Sequence, residues 1–412
     1  MLVSVLAALT LDATLTPLAH PDTVRGPAPA PVATIDPTPE DDAARLAIVP
    51  GVGFAPETGF ALTPSVVRFW RTGSGATTDG VATRPSSASL GLLASTRRQF
   101  ALTFQYERWS PDNRTWLTAA AEASEVPQPF FGIGPVAPLA NEELFTPRLA
   151  TATFTAQRAF WRRPSLAALY LGAQVDVGTL AMRRTEAGGQ LAPGTIAGSD
   201  GSTVVGAGPL ATVDTRDDVV FTGAGRFVQA GWTLYPVALG STYGFSRWTV
   251  DARAFRTFGA RADTARATLP AELRGVPRTV LATQLTLDGS TGTTPFDQLP
   301  TFGGDGLKRG YLRGRYRDRS MVTAQVELRR QFTGFAPTWL PKRLHHRLGA
   351  AVFVAAGDVA PGFRAMQARN VNVTGGAGVR WLLLPRERLN VRIDYGVARD
   401  SRGLYFTVGE AF

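Results

Sequence analysis

From Arg45 to the end of the chain, apolar and polar residues alternate with period two, and helical periodicity is absent. In "LNVRIDYGVARDS", Leu389, Val391, Ile393, Tyr395 and Val397 fall on one face of a strand, and Asn390, Arg392, Asp394, Gly396 and Ala398 on the other. In "SMVTAQVELRRQF", Val322, Ala324, Val326 and Leu328 oppose Thr323, Gln325, Glu327 and Arg329. A soluble sandwich buries the apolar face, which leaves the charged face to water and joins its strands by short loops. Here the segments are too long for that pattern: about ten residues, tilted by about 45°, is what a strand needs to cross a bilayer. Roughly sixteen such segments lie between Arg45 and Phe412, the first pair and the stretch Pro127–Thr146 being the most weakly patterned. The pattern predicts an all-β fold, a transmembrane antiparallel β-barrel, because in lipid every backbone amide needs a partner and closure removes the sheet edges.

Connections and aromatic residues fit that expectation. Short links such as "RRQ" at Arg97 and "RDDVVFTGAG" at Arg216 alternate with long ones such as "GSGATTDGVATRPS" from Gly73, as if short turns lined one rim and long loops the other. Phe69 and Trp70, Tyr106 and Trp109, Phe160 and Trp161, and Tyr405 and Phe406 gather near strand ends, where interfacial girdles are expected. In the last segment, "GLYFTVGEAF", the alternation puts Leu404, Phe406, Val408, Glu410 and Phe412 on the outward face, with Glu410 at the level of the headgroups.

Composition removes several classes. The 412 residues include no cysteine, so disulfides and thiolate metal sites are excluded. The net charge of +10 is almost entirely arginine, the lysines being Lys308 and Lys342. Hydrophobic residues make up 44%, which excludes disorder, and no apolar run reaches the roughly 18 residues of a membrane-spanning helix. Residues 1–20 read as an export signal, residues 21–44 as a Pro/Ala-rich tether, and residues 45–412 as the folded body.

One stretch breaks the alternation: "TFGGDGLKRGYLRGRYRD", residues 301–318, holds five glycines and seven charges. As a phosphate loop it lacks the Gly-Lys-Ser/Thr ending, and as a nucleic-acid surface it lacks interleaved aromatics on an exposed face, so nucleic acid is not an expected partner. His345 and His346 are adjacent on a turn, point apart and do not make a metal site; with their basic neighbours they suit anionic headgroups. No serine stands in a nucleophile motif, and neither an enzyme activity nor a cofactor is expected. "DTRDD" at Asp214 reads as a turn with aspartates capping backbone amides, without the spaced ligands of a calcium loop.

"LPTFGGDGLKRGYLRGRYRD" followed by "AQVELRRQF" resembles the signature of the BamA/TamA family, the bacterial surface antigen proteins. "SSASLGLLASTRRQF", "PFFGIG" at Pro129, "VDTRDDVVFTGAG" at Val213 and "RIDYGVARDSRGLYFTVGEAF" agree with it, and the resemblance spans roughly residues 45–412. It implies a barrel in the bacterial outer membrane whose sixth outer loop folds back into the lumen. The loop's arginine–glycine–aromatic triplet is matched by Arg309, Gly310 and Tyr311, and the inward glutamate of the next strand by Glu327. A guanidinium in a narrow lumen needs a carboxylate of matching geometry, and Arg309 with Glu327 supplies that pair. There are two departures. The residues before Arg45 are too few for the family's periplasmic POTRA modules, and the family's "F-x-D-x-G" reads "FVAAG" at Phe353, with Ala355 in place of the aspartate. Asp251 and Asp394, inward by the parity of their strands, are the candidate substitute partners.

The resemblance implies work in outer-membrane biogenesis, inserting or translocating protein or lipid through the barrel or its lateral seam. The alternative is a passive pore or a structural barrel. The implied partners are outer-membrane lipids and lipopolysaccharide, a periplasmic partner protein, and the barrel assembly machinery, for which Phe406, Val408 and Phe412 would form the recognition signal.

Overall fold

The computed structural model describes residues 45–49, 52–55, 59–72, 83–162, 168–259, 273, 276, 279–304, 306–333, 335–385 and 388–412. The expected signal (1–20) and tether (21–44) lie outside the described residues, as does most of the segment from Gly73. Sixteen long strands follow one another: β1 (Arg45–Val49 and Val52–Ala55), β2 (Gly59–Leu62 and Ser65–Trp70), β3 (Ser86–Ser95), β4 (Phe100–Trp109), β5 (Thr115–Glu125), β6 (Glu143–Arg162), β7 (Ala168–Arg184) and β8 (Ser202–Asp214), then β9 (Gly225–Tyr235), β10 (Phe245–Phe258), β11 (Thr279–Gly292), β12 (Ser320–Gln331), β13 (Leu348–Ala360), β14 (Asn372–Leu384), β15 (Leu389–Ala398) and β16 (Arg402–Val408). The two segments of β1 face those of β2 in one unbroken register, from Arg45 opposite Phe69 to Ala55 opposite Gly59, which makes them a single hairpin. Every strand pairs antiparallel with its neighbours in sequence. Among the described residues no ladder joins β16 to β1.

The sheet curls around a lumen. Val219 and Val220, in the turn between β8 and β9, share one apolar cluster with Leu389 of β15 and with Phe69 of β2, strands that a flat sheet would hold far apart on opposite sides. The two faces of the wall carry opposite chemistry. On β12 the lumenal Gln325, Glu327, Arg329 and Gln331 are buried, while Val326 and Leu328 stand exposed on the outside. On β13 to β15 the outward Val352, Val354, Val379, Ile393 and Val397 are exposed in the same way. Apolar side chains outside and charged ones inside invert the arrangement of a water-soluble domain, and the arrangement is stable where hydrocarbon surrounds the wall. Among the described residues no helix is long and apolar enough to cross a membrane.

Because strands alternate in direction, the links after β1, β3, β5 and so on lie at one end, here called upper, and those after β2, β4, β6 at the lower end, where β16 also finishes. This corrects the expected alternation of loops: the Arg97 link is at the upper end, whereas the links from Gly73 and at Arg216 share the lower one. The girdle reading also needs correction. Phe160 and Trp161 are exposed on the outside near the lower rim, but Trp109 and Tyr405 are buried side chains of the lumen.

Candidate functional site

The link between β11 and β12 is the sixth at the upper end, and it turns into the barrel. A two-residue ribbon, Thr301–Phe302 against Tyr316–Arg317, closes its neck. Below the neck Phe302, Tyr311 and Tyr316 pack with Phe131, Ala137, Met321 and Val359. Two arginines seal the top. Arg315 donates to the Ala137 carbonyl at 2.6 Å and to Asp400 at 2.7 Å, and Arg317 to the Phe296 carbonyl at 3.0 Å with its guanidinium 5.0 Å from the Phe130 ring centre. The Gly134 amide meets the Arg317 carbonyl at 2.8 Å. The "PFFGIG" segment thus forms the cradle for the loop.

At the tip, Arg309 has no exposed surface on its side chain. Its two terminal nitrogens donate to Glu327 on β12 and to Asp394 on β15, and the guanidinium lies 3.6 Å from the centre of the Phe353 ring. Burial works against the charge of Arg309, but Glu327 and Asp394 overcome it and hold the pKa above the ordinary value. The two carboxylates bind further. Glu327 accepts from Arg329 at 2.9 Å and Arg380 at 3.0 Å, while Asp394 accepts from Arg392 at 2.7 Å and also from Arg380. Arg380 in turn donates to Glu410 at 3.0 Å. Four guanidiniums and three carboxylates therefore interleave across β12, β14, β15, the residues after β16 and the loop. Such a network survives burial because nearly all of its charges have two or three opposite neighbours within ion-pair distance.

Backbone approach is as close as the charges. Gly310 has φ +118°, and its amide donates to the Tyr405 hydroxyl at 2.8 Å, which itself donates to the Tyr311 carbonyl at 3.2 Å. On β15, a Cβ added to Gly396 would lie 2.6 Å from the carbonyl carbon of Arg309. Both glycines are required: one by its positive φ, the other by contact with the loop. Beside them Lys308, with φ +63°, buries its amine 3.0 Å from the Gly357 carbonyl and 3.7 Å from the Phe302 ring centre. Burial pushes its pKa down to about 7.

The expected residues divide accordingly. Arg309, Gly310, Tyr311, Glu327 and Asp394 are brought together. Asp251 is not: its carboxylate is held by Arg253 at 2.9 Å and by Gln284 at 2.9 Å, so of the two candidate partners it is Asp394 that meets Arg309. The terminal face is corrected too. Gly409, with φ +86°, turns the chain inward after Val408, so Glu410 joins the lumenal network, and the Phe412 carbonyl accepts from Arg329 at 3.0 Å. Phe406 stands opposite Ile393 and Val408 opposite Val391, within β16. Lumenal Arg380 was not singled out in the sequence, Arg329 was named only for its strand parity and Tyr405 only as a girdle residue, although parity marks all three as inward. His345 and His346 each meet a backbone carbonyl, Leu340 at 2.9 Å and Thr333 at 2.7 Å. Among the described residues no group of histidine and carboxylate side chains is arranged to hold a metal.

The profile of the Omp85 superfamily domain matches residues 87–412. Solved structures with a similar fold include CdiB from Escherichia coli (TM-score 0.54, 12% identity, 90% of this chain and 63% of that one) and CdiB from Acinetobacter baumannii (TM-score 0.52, 11% identity, 90% and 60%). The chain therefore spans less than two thirds of the length of either. No curated protein sequence matches it.

Proposed function

The chain belongs to the Omp85 superfamily, and from that premise we propose that it is an outer-membrane barrel of the BamA/TamA kind that inserts or translocates polypeptide or lipid, the route lying along the edge between β1 and β16. The observation that carries this reading is the combination of a lumen filled by a charge-held loop with a first and a last strand that share no ladder among the described residues. A barrel built only to conduct would need an open lumen. A barrel that admits cargo sideways needs a weak edge and a way to keep the lumen shut meanwhile. Orientation follows from the reading: the lower end faces the periplasm, where β16 finishes and where an assembly signal in Phe406, Val408 and Phe412 would be met by the assembly machinery.

Leu46 on β1 is exposed on the outside of the barrel. A photo-cross-linking residue placed there, in cells that express the protein, should capture polypeptides other than the barrel itself, and mass spectrometry would identify them. Adducts with lipid alone, together with steady conductance in a planar bilayer, would support the passive-pore alternative.

A further inference from the structure

The motif "VDTRDDVVFTGAG" has no part in the loop latch, and its position in the barrel is unexpected. It forms the turn between β8 and β9, in the middle of the sheet, yet its tip reaches both ends of the sheet. Val219 and Val220 are buried in one cluster with Leu389, around which Phe69 of β2, Leu384 of β14 and Val408 of β16 are partly buried. Leu389 stands opposite Leu384, beside an irregularity in the register of β14, and like Val391 it is buried although the parity of β15 places it outward. Arg388 adds an ion pair to Asp218 at 3.3 Å.

The turn holds its own shape. Asp218 accepts from the amides of Val220 at 2.8 Å and Phe221 at 3.0 Å, and Asp217 from those of Gly223 at 2.9 Å and Ala224 at 3.0 Å. These are the capped amides expected of a preformed turn. Its root is fixed as well: Asp214 pairs with Arg216 at 2.9 Å and with Arg84 at 2.6 Å, and Arg84 comes from the segment that leads into β3. A rigid arm therefore starts from the wall opposite the β1/β16 edge, crosses the lower mouth, and rests on strands at both sides of that edge.

We propose that this turn is a crossbar that keeps the β1/β16 edge shut, and that a segment passing along the edge must first displace Val219 and Val220 from Leu389. The proposal rests on the reading of that edge as a seam, and it names what regulates the seam. The contacts suit such a role. The root is held by buried charges, whereas the contacts with the edge include a small apolar cluster and a partly exposed ion pair, which can separate at lower cost than the buried root.

The absence of cysteine from the chain makes the test direct. Val220→Cys with Leu389→Cys, joined by a disulfide or a short bifunctional maleimide, should lock the crossbar. In planar bilayers the locked barrel should lose the brief openings of the unmodified one, and reduction of the disulfide should restore them. Val219→Ser with Val220→Ser should raise opening frequency several-fold, and Arg388→Ala, at a partly exposed site near the rim, should raise it less. Failure of the two cysteines to join, or unchanged opening frequency in the joined barrel and in Arg388→Ala, would overturn the proposal. If cross-linking from Leu46 finds no client while the joined pair still suppresses opening, the crossbar stands and the cargo reading falls.

Discussion

The two sides of the lumen solve the same problem by opposite means. The side made by β12, β14 and β15 presents Glu327, Arg329, Arg380, Arg392 and Asp394, and it is completed by Arg309 from the loop between β11 and β12. The side made by β4, β5, β7 and β9 presents aromatic rings: Trp109 and Trp116 stack at 4.7 Å, Tyr170 meets both edge-on, and Arg216 lies 4.5 Å from the centre of Phe227. The aromatic side fills space by itself and needs no visitor. The charged side leaves two carboxylates directed at a position that only an inserted cation can occupy. A loop is held where the wall is incomplete without it.

The largest effect should come from a carboxylate that holds three arginines at once. Glu327→Gln withdraws an acceptor from Arg309, Arg329 and Arg380 at once and should cost about 3 to 5 kcal/mol, read as a fall in the temperature at which the detergent-folded barrel loses its fast mobility on unboiled gels. Arg309→Ala should cost less, because Glu327 and Asp394 keep their other arginines. The double change should be milder than the sum of the single ones, as in coupled pairs. Additive losses would mean that the loop arginine and the wall do not interact.

Next should come the backbone contact. Gly396→Ala puts a methyl 2.6 Å from the Arg309 carbonyl carbon, so the loop tip must withdraw or β15 must shift. Limited proteolysis after Arg309 or Arg313 should then become faster while the wall stays intact. Equal protection in wild type and variant would show that the two backbones do not touch.

On the aromatic side a comparable change should matter less. Tyr170→Phe removes one hydrogen bond, from its hydroxyl to the Asn113 carbonyl at 2.8 Å, and keeps the ring contacts, so about 1 kcal/mol should be lost with no change in loop protection. A loop released by this variant would erase the distinction between the two sides.

A last effect shows only as a dependence on pH. Folding lowers the pKa of Lys308 from 10.5 to about 7, so between those values the unfolded chain holds more protons and the barrel gains stability as pH rises. Below about pH 7 this contribution is flat. Lys308→Met should remove the rise in melting temperature between pH 7 and 10, and an unchanged slope would mean that the amine is solvated.

How much of this was legible in the chain follows from which interactions are local. Strand alternation is local, since successive side chains must point to opposite faces, and it was enough to predict about sixteen crossings, the apolar outside and the inward parity of Glu327, Arg392 and Asp394. The Arg309–Gly310–Tyr311 triplet marked the loop that enters the lumen only through its resemblance to a family motif. Parity says that Asp251 and Asp394 both face inward, but it contains no information on which sector of a curled wall lies opposite a loop tip. That was decided by curvature and register, which set Asp394 beside Glu327 and left Asp251 to Arg253 and Gln284. The inward turn at Gly409 and the reach of Val219 to Leu389 were decided at the same level, because each joins residues distant along the chain whose meeting depends on the barrel having curled. Period and composition determined the elements and their two faces; the curling of the wall around a lumen decided which of the inward residues meet.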